Sequence, residues 1–332
     1  MIQSMVLPGV RPAPTRVRAF ARRLAVFGLL VGLAACTNSC SIKRMAVKSV
    51  ANSLTSGPDV FGSDEDPQLI RDAVPFGLKT MESLLQTLPR HRGLLLGLCR
   101  GFTQYGVGFL ESEADEVEPV DYARASAMRE RALKMFLRAR DYGLRGLELD
   151  HRGITQRLKV SPDSAARQIK PKEIAMLYWT AAAWGSAINL GKDRAELLAD
   201  LGAVRALMER GLSLDEAYDG GAFHEAMIIL EALPKEMGGS AERARQHFQR
   251  AVELSKGQKA SPYVTLAQSV SVMTQNRSEF RDLLDKALAV DPNHDPSQRL
   301  ATLIVQQQAR QLLKREDELF IESDDVKPKD SR

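Results

Sequence analysis

A six-residue pattern that occurs four times decides the fold of this chain. It reads Arg145-Gly-Leu-Glu-Leu-Asp150 and returns as Arg210-Gly-Leu-Ser-Leu-Asp215, Arg250-Ala-Val-Glu-Leu-Ser255 and Lys286-Ala-Leu-Ala-Val-Asp291. Each copy has a basic residue, a small residue, two apolar residues around a variable one, and then Asp or Ser. The small residues follow one another at intervals of 65, 40 and 36 residues. Repeats of this size are typical of stacked helical pairs, so the chain is predicted to be all-α.

The last copy of the pattern belongs to a unit that resembles a tetratricopeptide repeat. Bulky, apolar and small side chains recur at helical spacing on its two predicted helices, and a proline follows the second. A small residue lets two helices approach closely, and the bulky residues fill the groove beside it. The residues concerned are Tyr263, Leu266, Ala267, Val270, Phe280, Leu284, Ala287 and Pro292. We therefore predict a tetratricopeptide-like solenoid of helical hairpins, an α-α superhelix, over residues 67–322.

Two polar stretches interrupt the repeats, residues 111–118 and 151–173. The first carries five acidic residues out of eight, and the second contains two prolines. Both stretches are predicted to be loops on the solenoid.

The first 35 residues have the composition of an export signal. They hold five arginines and no acidic residue, and they end in an apolar run of twelve residues, 24–35, which is too short to cross a bilayer as a helix. The run leads into Leu33-Ala-Ala-Cys36, which resembles the bacterial lipobox. This resemblance implies cleavage before Cys36 and lipidation of its sulfur, and two or three acyl chains attach a protein firmly to a membrane. Because no Asp follows Cys36, the periplasmic face of the outer membrane is favoured, and the inner membrane remains an alternative.

The net positive charge of the whole chain comes from this predicted export signal. The full sequence has 46 basic and 42 acidic residues, and removal of residues 1–35 leaves 41 against 42. We therefore predict no nucleic-acid partner. Residues 36–66 are predicted to be the lipidated cysteine and a flexible tether, because Gly, Pro and Ser residues interrupt any regular spacing of apolar residues there. Residues 323–332 are predicted to be a disordered, charged tail.

Three cysteines are too few for a disulfide scaffold. Cys99 lies in an apolar run, where a buried free thiol is the favoured interpretation. A bond between Cys40 and Cys99 is the alternative, since the periplasm permits disulfides.

Catalytic and metal-binding motifs are missing from the sequence. It contains no phosphate-binding loop, no nucleophile elbow and no spaced Cys/His set. His224-Glu225 opens like a zincin motif, but Ile228 stands where the second ligand belongs. The histidines are scattered, and each is interpreted as a surface or packing residue. We predict no enzyme, no cofactor and no metal site.

Two predicted first helices, which would line the concave face of the solenoid, hold candidate binding residues. Residues 101–110 contain three glycines, each of which weakens a helix by about 1 kcal/mol relative to Ala, and residues 177–189 contain both tryptophans. These aromatic side chains either belong to the core or line a pocket for an apolar or carboxylate-bearing ligand. A third stretch, Gly220-Gly221, is interpreted as a turn between helices. The candidate groove residues are Phe102, Gln104, Tyr105, Tyr178, Trp179, Trp184, Asn189, His224, Glu225 and Tyr263.

Linked stretches across residues 59–322 resemble the T component associated with tripartite ATP-independent periplasmic (TRAP) transporters. Each stretch is short, and their order and joint presence carry the resemblance. The stretches are Phe61-Gly-Ser-Asp-Glu-Asp-Pro67, Asp72-Ala-Val-Pro-Phe76, Gly101-Phe-Thr-Gln-Tyr105, Leu177-Tyr-Trp-Thr-Ala-Ala-Ala-Trp-Gly185, Tyr218-Asp-Gly-Gly-Ala-Phe-His-Glu225, Gly239-Ser-Ala-Glu-Arg-Ala244, Ala260-Ser-Pro-Tyr-Val264 and Arg315-Glu-Asp-Glu-Leu-Phe320.

The resemblance implies a lipid-anchored periplasmic protein that works beside the solute-binding receptor and the permease of a TRAP system. Such systems take up organic acids and related small molecules by an ion gradient. We accordingly predict an accessory protein whose groove docks the receptor or receives its ligand, a small organic acid or an apolar molecule. The alternative is a tetratricopeptide scaffold lipoprotein for outer-membrane or envelope assembly that captures peptides. Homo-oligomerisation stays open, because solenoid ends self-associate unless polar faces cap them.

Overall fold

The computed structural model describes residues 43–57 and 59–321. The predicted export signal, Cys36, Cys40 and the predicted tail 323–332 lie outside the described residues. The chain divides into two units, Met1–Val50 and Ala51–Arg332. Of the first unit, residues 43–50 are described, and they are helical.

Every regular element of the described residues is a helix, which confirms the predicted all-α class. The α-helices are α1 (43–56), α2 (Pro67–Thr87), α3 (Arg92–Tyr105), α4 (Ser112–Val117), α5 (Tyr122–Leu147), α6 (Ile154–Val160), α7 (Pro162–Ala166), α8 (Ile174–Leu190), α9 (Ala195–Leu198), α10 (Leu201–Leu214), α11 (Ala222–Glu231), α12 (Ala241–Leu254), α13 (Ser261–Leu266), α14 (Arg277–Ala289), α15 (Arg299–Lys314) and α16 (Glu316–Leu319). Two π-helical segments, Gly106–Glu111 and Ala267–Ser271, continue α3 and α13. Among these helices, none combines the length and the apolar composition needed to cross a bilayer.

Short polar side chains fix where several of these helices begin. Asp66 accepts hydrogen bonds of 3.0 Å from the backbone N–H groups of Gln68 and Leu69 at the start of α2. Asn276 does the same for the N–H of Glu279 in α14, at 3.1 Å. Such caps satisfy N–H groups that have no partner inside the helix, and each stabilises the helix by about 1 kcal/mol.

The small residues of the repeated pattern lie where neighbouring helices touch. Gly146 of α5 faces Met176 of α8, and Gly211 of α10 faces Phe223 of α11, so closely that a Cβ atom at either glycine would overlap the facing side chain. Ala251 and Ala287 are fully buried. At Gly146 and Gly211 the two helices therefore pack closely through a small residue, as in ridges-into-grooves packing.

The last long helix returns to the beginning of this unit. Leu300, at the start of α15, donates its backbone N–H to the carbonyl of Gly62 at 3.0 Å. The guanidinium of Arg299 donates to the carbonyl of Ser63 at 3.2 Å, and Arg315 donates to the carbonyl of Asp115 at 3.1 Å. The stacked helices thus close on themselves, a contact that the repeated pattern did not predict.

The acidic stretch 111–118 is helical, so the predicted loop is wrong there. Three of its five carboxylates pair with basic residues of α5. Arg129 donates to Asp115 at 2.7 Å and to Glu118 at 2.8 Å, and Arg124 donates to Glu113 at 2.8 Å. Charge pairing with a neighbouring helix replaces the apolar contacts that a buried helix face would supply. The other predicted loop, 151–173, contains the short helices α6 and α7.

Part of the stretch predicted as a tether is ordered. Residues 43–56 form α1, and Asp59 pairs with Arg100 of α3. The side chain of Thr55 lies against Gly93 at the start of α3, where a Cβ atom would not fit. Thr55 and Asp59 therefore hold this part of the chain against α3.

Candidate functional site

The inward-facing aromatic residues of α8 form the base of the candidate site. Residues along α8 are apolar on all sides, and Trp184 is fully buried. One turn and a half earlier, Tyr178 and Trp179 keep part of their surface accessible. Their rings meet edge to face with centroids 5.1 Å apart. Of the two tryptophans, Trp179 thus lies at the edge of the interior, and Trp184 lies within it.

A strained turn before α11 brings a second set of rings to Tyr178. Asp219 adopts a left-handed backbone with φ 45° and ψ 47°, and Gly221 follows at φ 90°. A non-glycine residue rarely adopts this conformation, which costs on the order of 1–3 kcal/mol. The turn places the Tyr218 ring 5.6 Å from Tyr178 and 5.5 Å from Phe223. The two glycines act as the predicted turn between helices, and their effect is to position Tyr218.

One lysine and one arginine border these rings, and each is paired with an aspartate. The ammonium of Lys259 lies 3.3 Å from a carboxylate oxygen of Asp219 and also donates to the Asp219 carbonyl. The guanidinium of Arg100 pairs with Asp59 and lies 5.8 Å from the centre of the Trp179 ring. Positive charge is therefore present beside the aromatic rings, where it is balanced by nearby carboxylates.

Glu225, in the first turn of α11, supplies the acidic group of the site. The hydroxyl of Ser261 donates to its Oε2 at 2.9 Å, and the Thr265 hydroxyl lies 3.5 Å from its Oε1. Burial raises the pKa of Glu225, the charge of Lys259 and the Ser261 hydrogen bond lower it, and Asp219 raises it. Its side chain is nevertheless half-buried and not sealed from solvent. Glu225 therefore keeps its proton to a higher pH than an ordinary glutamate and can donate a hydrogen bond.

We call Tyr178, Trp179, Tyr218, Phe223 and Glu225 the Tyr178 cluster. It joins α8, the turn before α11, and α11. Burial raises the pKa of Tyr178, and the negative charges of Glu225 and Asp219 raise it further. At neutral pH the cluster thus presents a protonated phenol, aromatic ring faces and a carboxyl group.

The other predicted groove residues lie elsewhere. Four of the aromatic residues are buried, each against a neighbouring ring or within the core, and two polar residues are exposed. The buried residues are Phe102, Tyr105, Trp184 and Tyr263, and the exposed ones are Gln104 and Asn189. Phe102 stacks on Tyr142 with centroids 6.2 Å apart. For these four aromatic side chains the structure shows the core alternative.

His224 points away from Glu225 and meets a second histidine that the sequence did not connect with it. Its Nδ1 lies 2.9 Å from Nδ1 of His247 on α12, so one ring donates a hydrogen bond to the other. Nε2 of His224 lies 3.5 Å from a carboxylate oxygen of Glu216. Burial lowers the pKa of both histidines. Since 23 residues separate the two, no local spacing signals the pair.

The remaining chemistry-bearing groups are structural. Cys99 is fully buried with a free thiol, and burial raises its pKa, which makes it unreactive. His151 and the buried Glu173 form a pair at 3.0 Å. Within residues 43–57 and 59–321, no three His, Cys, Asp or Glu side chains come close enough together to hold a metal ion.

The sequence of this chain matches a known protein family over a range that includes every residue of the Tyr178 cluster. The model of the family described as "TRAP transporter T-component" matches residues 63–320. The chain is also 26% identical, over 302 residues, to a protein of Treponema pallidum (strain Nichols) described as "Uncharacterized protein". That alignment covers 85% of this chain and 94% of the relative.

Proposed function

Because this chain belongs to the TRAP transporter T-component family, we propose that it docks the solute-binding receptor of a TRAP system, or that receptor's small-molecule ligand, through the Tyr178 cluster. The family gives the chain an accessory role in a TRAP transporter, and the family is not known as enzymatic. Docking, and the Tyr178 cluster as its site, are our proposal.

The observation that carries the proposal is the convergence of distant stretches on Glu225. Tyr178 and Ser261 come from two different segments of the chain and lie within reach of this carboxyl group, and Tyr218, from a third segment, packs against Tyr178. A purely structural core gains little from a buried carboxyl, because burial of a charge costs free energy that apolar packing would avoid. A half-buried carboxyl beside aromatic rings is the usual composition of a small-molecule site.

The chemistry of the cluster favours a ligand with an apolar body and a polar or carboxylate end. The rings of Tyr178 and Tyr218 offer apolar contact, and Glu225, in the protonated form that its raised pKa favours, can donate a hydrogen bond to a carboxylate or carbonyl oxygen. Lys259 and Arg100 add positive charge at the border. This composition suits the organic acids that TRAP systems carry.

The proposal includes membrane attachment through lipid on Cys36, on the periplasmic side of the outer or the inner membrane. Its support is the cationic, apolar and lipobox order of residues 16–36. Attachment would hold the chain in the compartment in which a solute receptor diffuses.

A pull-down from solubilised envelope tests the proposal. The tagged chain should recover a TRAP solute receptor when the transported solute is present. The Glu225→Ala variant lacks the carboxyl group and its hydrogen bond to the ligand, and we expect about tenfold weaker capture, the size of one hydrogen bond to a charged group. Glu196→Ala, at an exposed position of α9, is the matched control. Absence of any solute receptor under ligand-replete conditions would count against the proposal.

A further inference from the structure

We propose that the outer side of α2 and α5 is a docking surface for anionic phospholipid headgroups. This α2–α5 face consists of Leu69, Phe76, Arg124, Arg131, Arg138 and Arg145. It is separate from the Tyr178 cluster. The proposed lipid anchor only explains why a bilayer is near, and the test below does not use the anchor.

The four arginines form a row along one side of α5. They are seven residues apart, so each lies two turns beyond the last on the same side of the helix. All four are exposed, and the row from Arg124 to Arg145 is about 31 Å long at 1.5 Å per residue. Residues Tyr122–Leu147 include seven basic and two acidic side chains.

Nearby carboxylates neutralise only part of this row. Arg124 pairs with Glu113 at 2.8 Å, and Arg138 lies 3.5 Å from Glu82 of α2. Arg145 donates to the carbonyl of Pro89 at 3.2 Å, and no carboxylate of the described residues pairs with it or with Arg131. The middle and the end of the row therefore keep positive charge that faces solvent.

Helix α2 runs alongside α5 in the same direction and adds exposed apolar residues. A guanidinium nitrogen of Arg138 lies 3.5 Å from a carboxylate oxygen of Glu82, and seven residues later on each side Arg145 meets the Pro89 carbonyl. This register places Phe76 level with Arg131 along the two helices. Phe76 is 79% exposed, and Leu69, one heptad earlier, is 56% exposed. An exposed phenylalanine beside a row of arginines is the composition of a surface that adsorbs to an anionic membrane.

The place where the N-terminal segment joins this unit favours a bilayer, and not an acidic protein, as the partner of the α2–α5 face. Asn52 of α1 contacts His91, with its Oδ1 3.0 Å from Nε2 of the histidine. The Arg145 end of the row lies against Pro89, two residues before His91. The segment that leads back to Cys36, the position of the proposed lipid, thus enters this unit at the same end as the row, and Asn52 is 16 residues beyond Cys36 in the sequence.

Vesicle co-sedimentation of the chain from Thr37 onward, which lacks the anchor but keeps every described residue, tests the proposal. We expect binding to phosphatidylglycerol vesicles that weakens with added salt, and little binding to phosphatidylcholine vesicles. Arg131→Gln combined with Arg145→Gln should weaken binding ~25-fold, or about fivefold for each basic residue. Arg310→Gln with Lys314→Gln, at exposed positions of α15, is the matched control and should change nothing.

The apolar part of the face is tested separately. Phe76→Ser should weaken binding to phosphatidylglycerol vesicles about tenfold, whereas Val160→Ser, at a position with 71% exposure, should not. Circular dichroism identifies any variant that fails to fold. Equal binding to both vesicle types, or equal losses in both double variants, overturns the proposal. If Phe76→Ser alters the sedimentation coefficient of the free chain and leaves vesicle binding intact, the face joins copies of the chain, and the proposal is wrong.

This assay contains neither a solute receptor nor a lipid anchor. A negative result therefore leaves the docking function of the Tyr178 cluster intact, and a failed receptor pull-down leaves the membrane face intact.

Discussion

The hydroxyl of Ser261 donates a 2.9 Å hydrogen bond to Oε2 of Glu225, and this bond ties the start of α13 to the first turn of α11. It places a carboxyl group of raised pKa beside Tyr178 and Tyr218. The pair stabilises the helix arrangement and also supplies the polar group of the proposed site. Changes at Glu225 should therefore affect both the stability and the binding of the protein.

Replacement of Glu225 by Gln should flatten the dependence of stability on pH above pH 4.5. The folded state raises the pKa of Glu225, so between the unfolded and folded values the native chain holds a proton that the unfolded chain has lost. Stability contributed by this group is thus present at low pH and decreases as the pH rises. Chemical denaturation from pH 5 to pH 8 should show a smaller decrease for Glu225→Gln than for the parent.

Glu196→Gln is the control for that comparison and should reproduce the parent. Burial also raises the pKa of Glu111 to about 8, and this group contributes in the same direction in every variant. The difference between variant and parent is therefore the informative quantity. A Glu225→Gln chain that loses stability with pH as steeply as the parent would show that this carboxyl is not perturbed.

The histidine pair should produce the opposite pH dependence. Burial lowers the pKa of His224 and His247, so below pH 6.5 the unfolded chain binds protons that the native pair resists. Stability should fall as the pH drops from 7 toward 5, with a slope of at most about 1.4 kcal/mol per pH unit for each proton. The groups that face the pair are Glu216, Arg250, Glu231, Arg243 and Arg205.

A His247→Gln variant should lose part of this acid sensitivity, as measured by urea unfolding at pH 7 and pH 5. Glutamine keeps a side chain that can hydrogen-bond to His224 but does not titrate. His294→Gln, at an exposed position outside the pair, serves as the control. The same acid sensitivity in parent and His247→Gln would rule out the pair as its source.

Gly211→Ala should destabilise the fold markedly. A Cβ atom at Gly211 would overlap the ring of the fully buried Phe223, which has no room to move. Overpacking of this kind costs about 1–3 kcal/mol, and in a domain of this size Tm should drop by several degrees. Gly77→Ala in α2 is the matched control, because nothing lies within 4 Å of its Cβ position. That variant should be neutral or more stable, and equal melting of both variants would refute the packing role of the repeated small residue.

The repeated pattern of small residues was sufficient to predict the all-α class and the packing positions at Gly146 and Gly211. The T-component resemblance is likewise confirmed by the match over residues 63–320. Closure of the stack was not predictable, because Arg299 and Ser63 meet across 236 residues with no shared pattern. The acidic stretch was misjudged because its partner, Arg129, lies on another helix.

The candidate site was predictable only in part. Tyr178, Trp179 and Glu225 were named from the sequence, and the structure brings them to one place. Tyr218 and Lys259 were missed, because their positions depend on the left-handed backbone of Asp219, which sequence spacing does not reveal. A repeated spacing of small and apolar residues identifies helices. The position of a side chain on a turn depends instead on the backbone conformation of that turn.

The proposed anchor makes its own prediction. Cys36→Ser should move the protein from the membrane fraction to the soluble fraction, because the sulfur that would carry the acyl chains is gone. Fractionation of cells that express parent and variant, with an immunoblot for size, checks this. A variant that still sediments with membranes and is processed at the same place would show that the lipobox interpretation is wrong.

The sharpest test of docking at the Tyr178 cluster is native mass spectrometry of the detergent-solubilised chain, mixed with a TRAP solute receptor of the same organism and the solute that this receptor binds. We expect a complex of the two proteins or a small molecule retained by the chain, and about tenfold less of either with Glu225→Ala than with Glu196→Ala. Absence of both the complex and the retained molecule, or equal signals from the two variants, would contradict docking at the Tyr178 cluster.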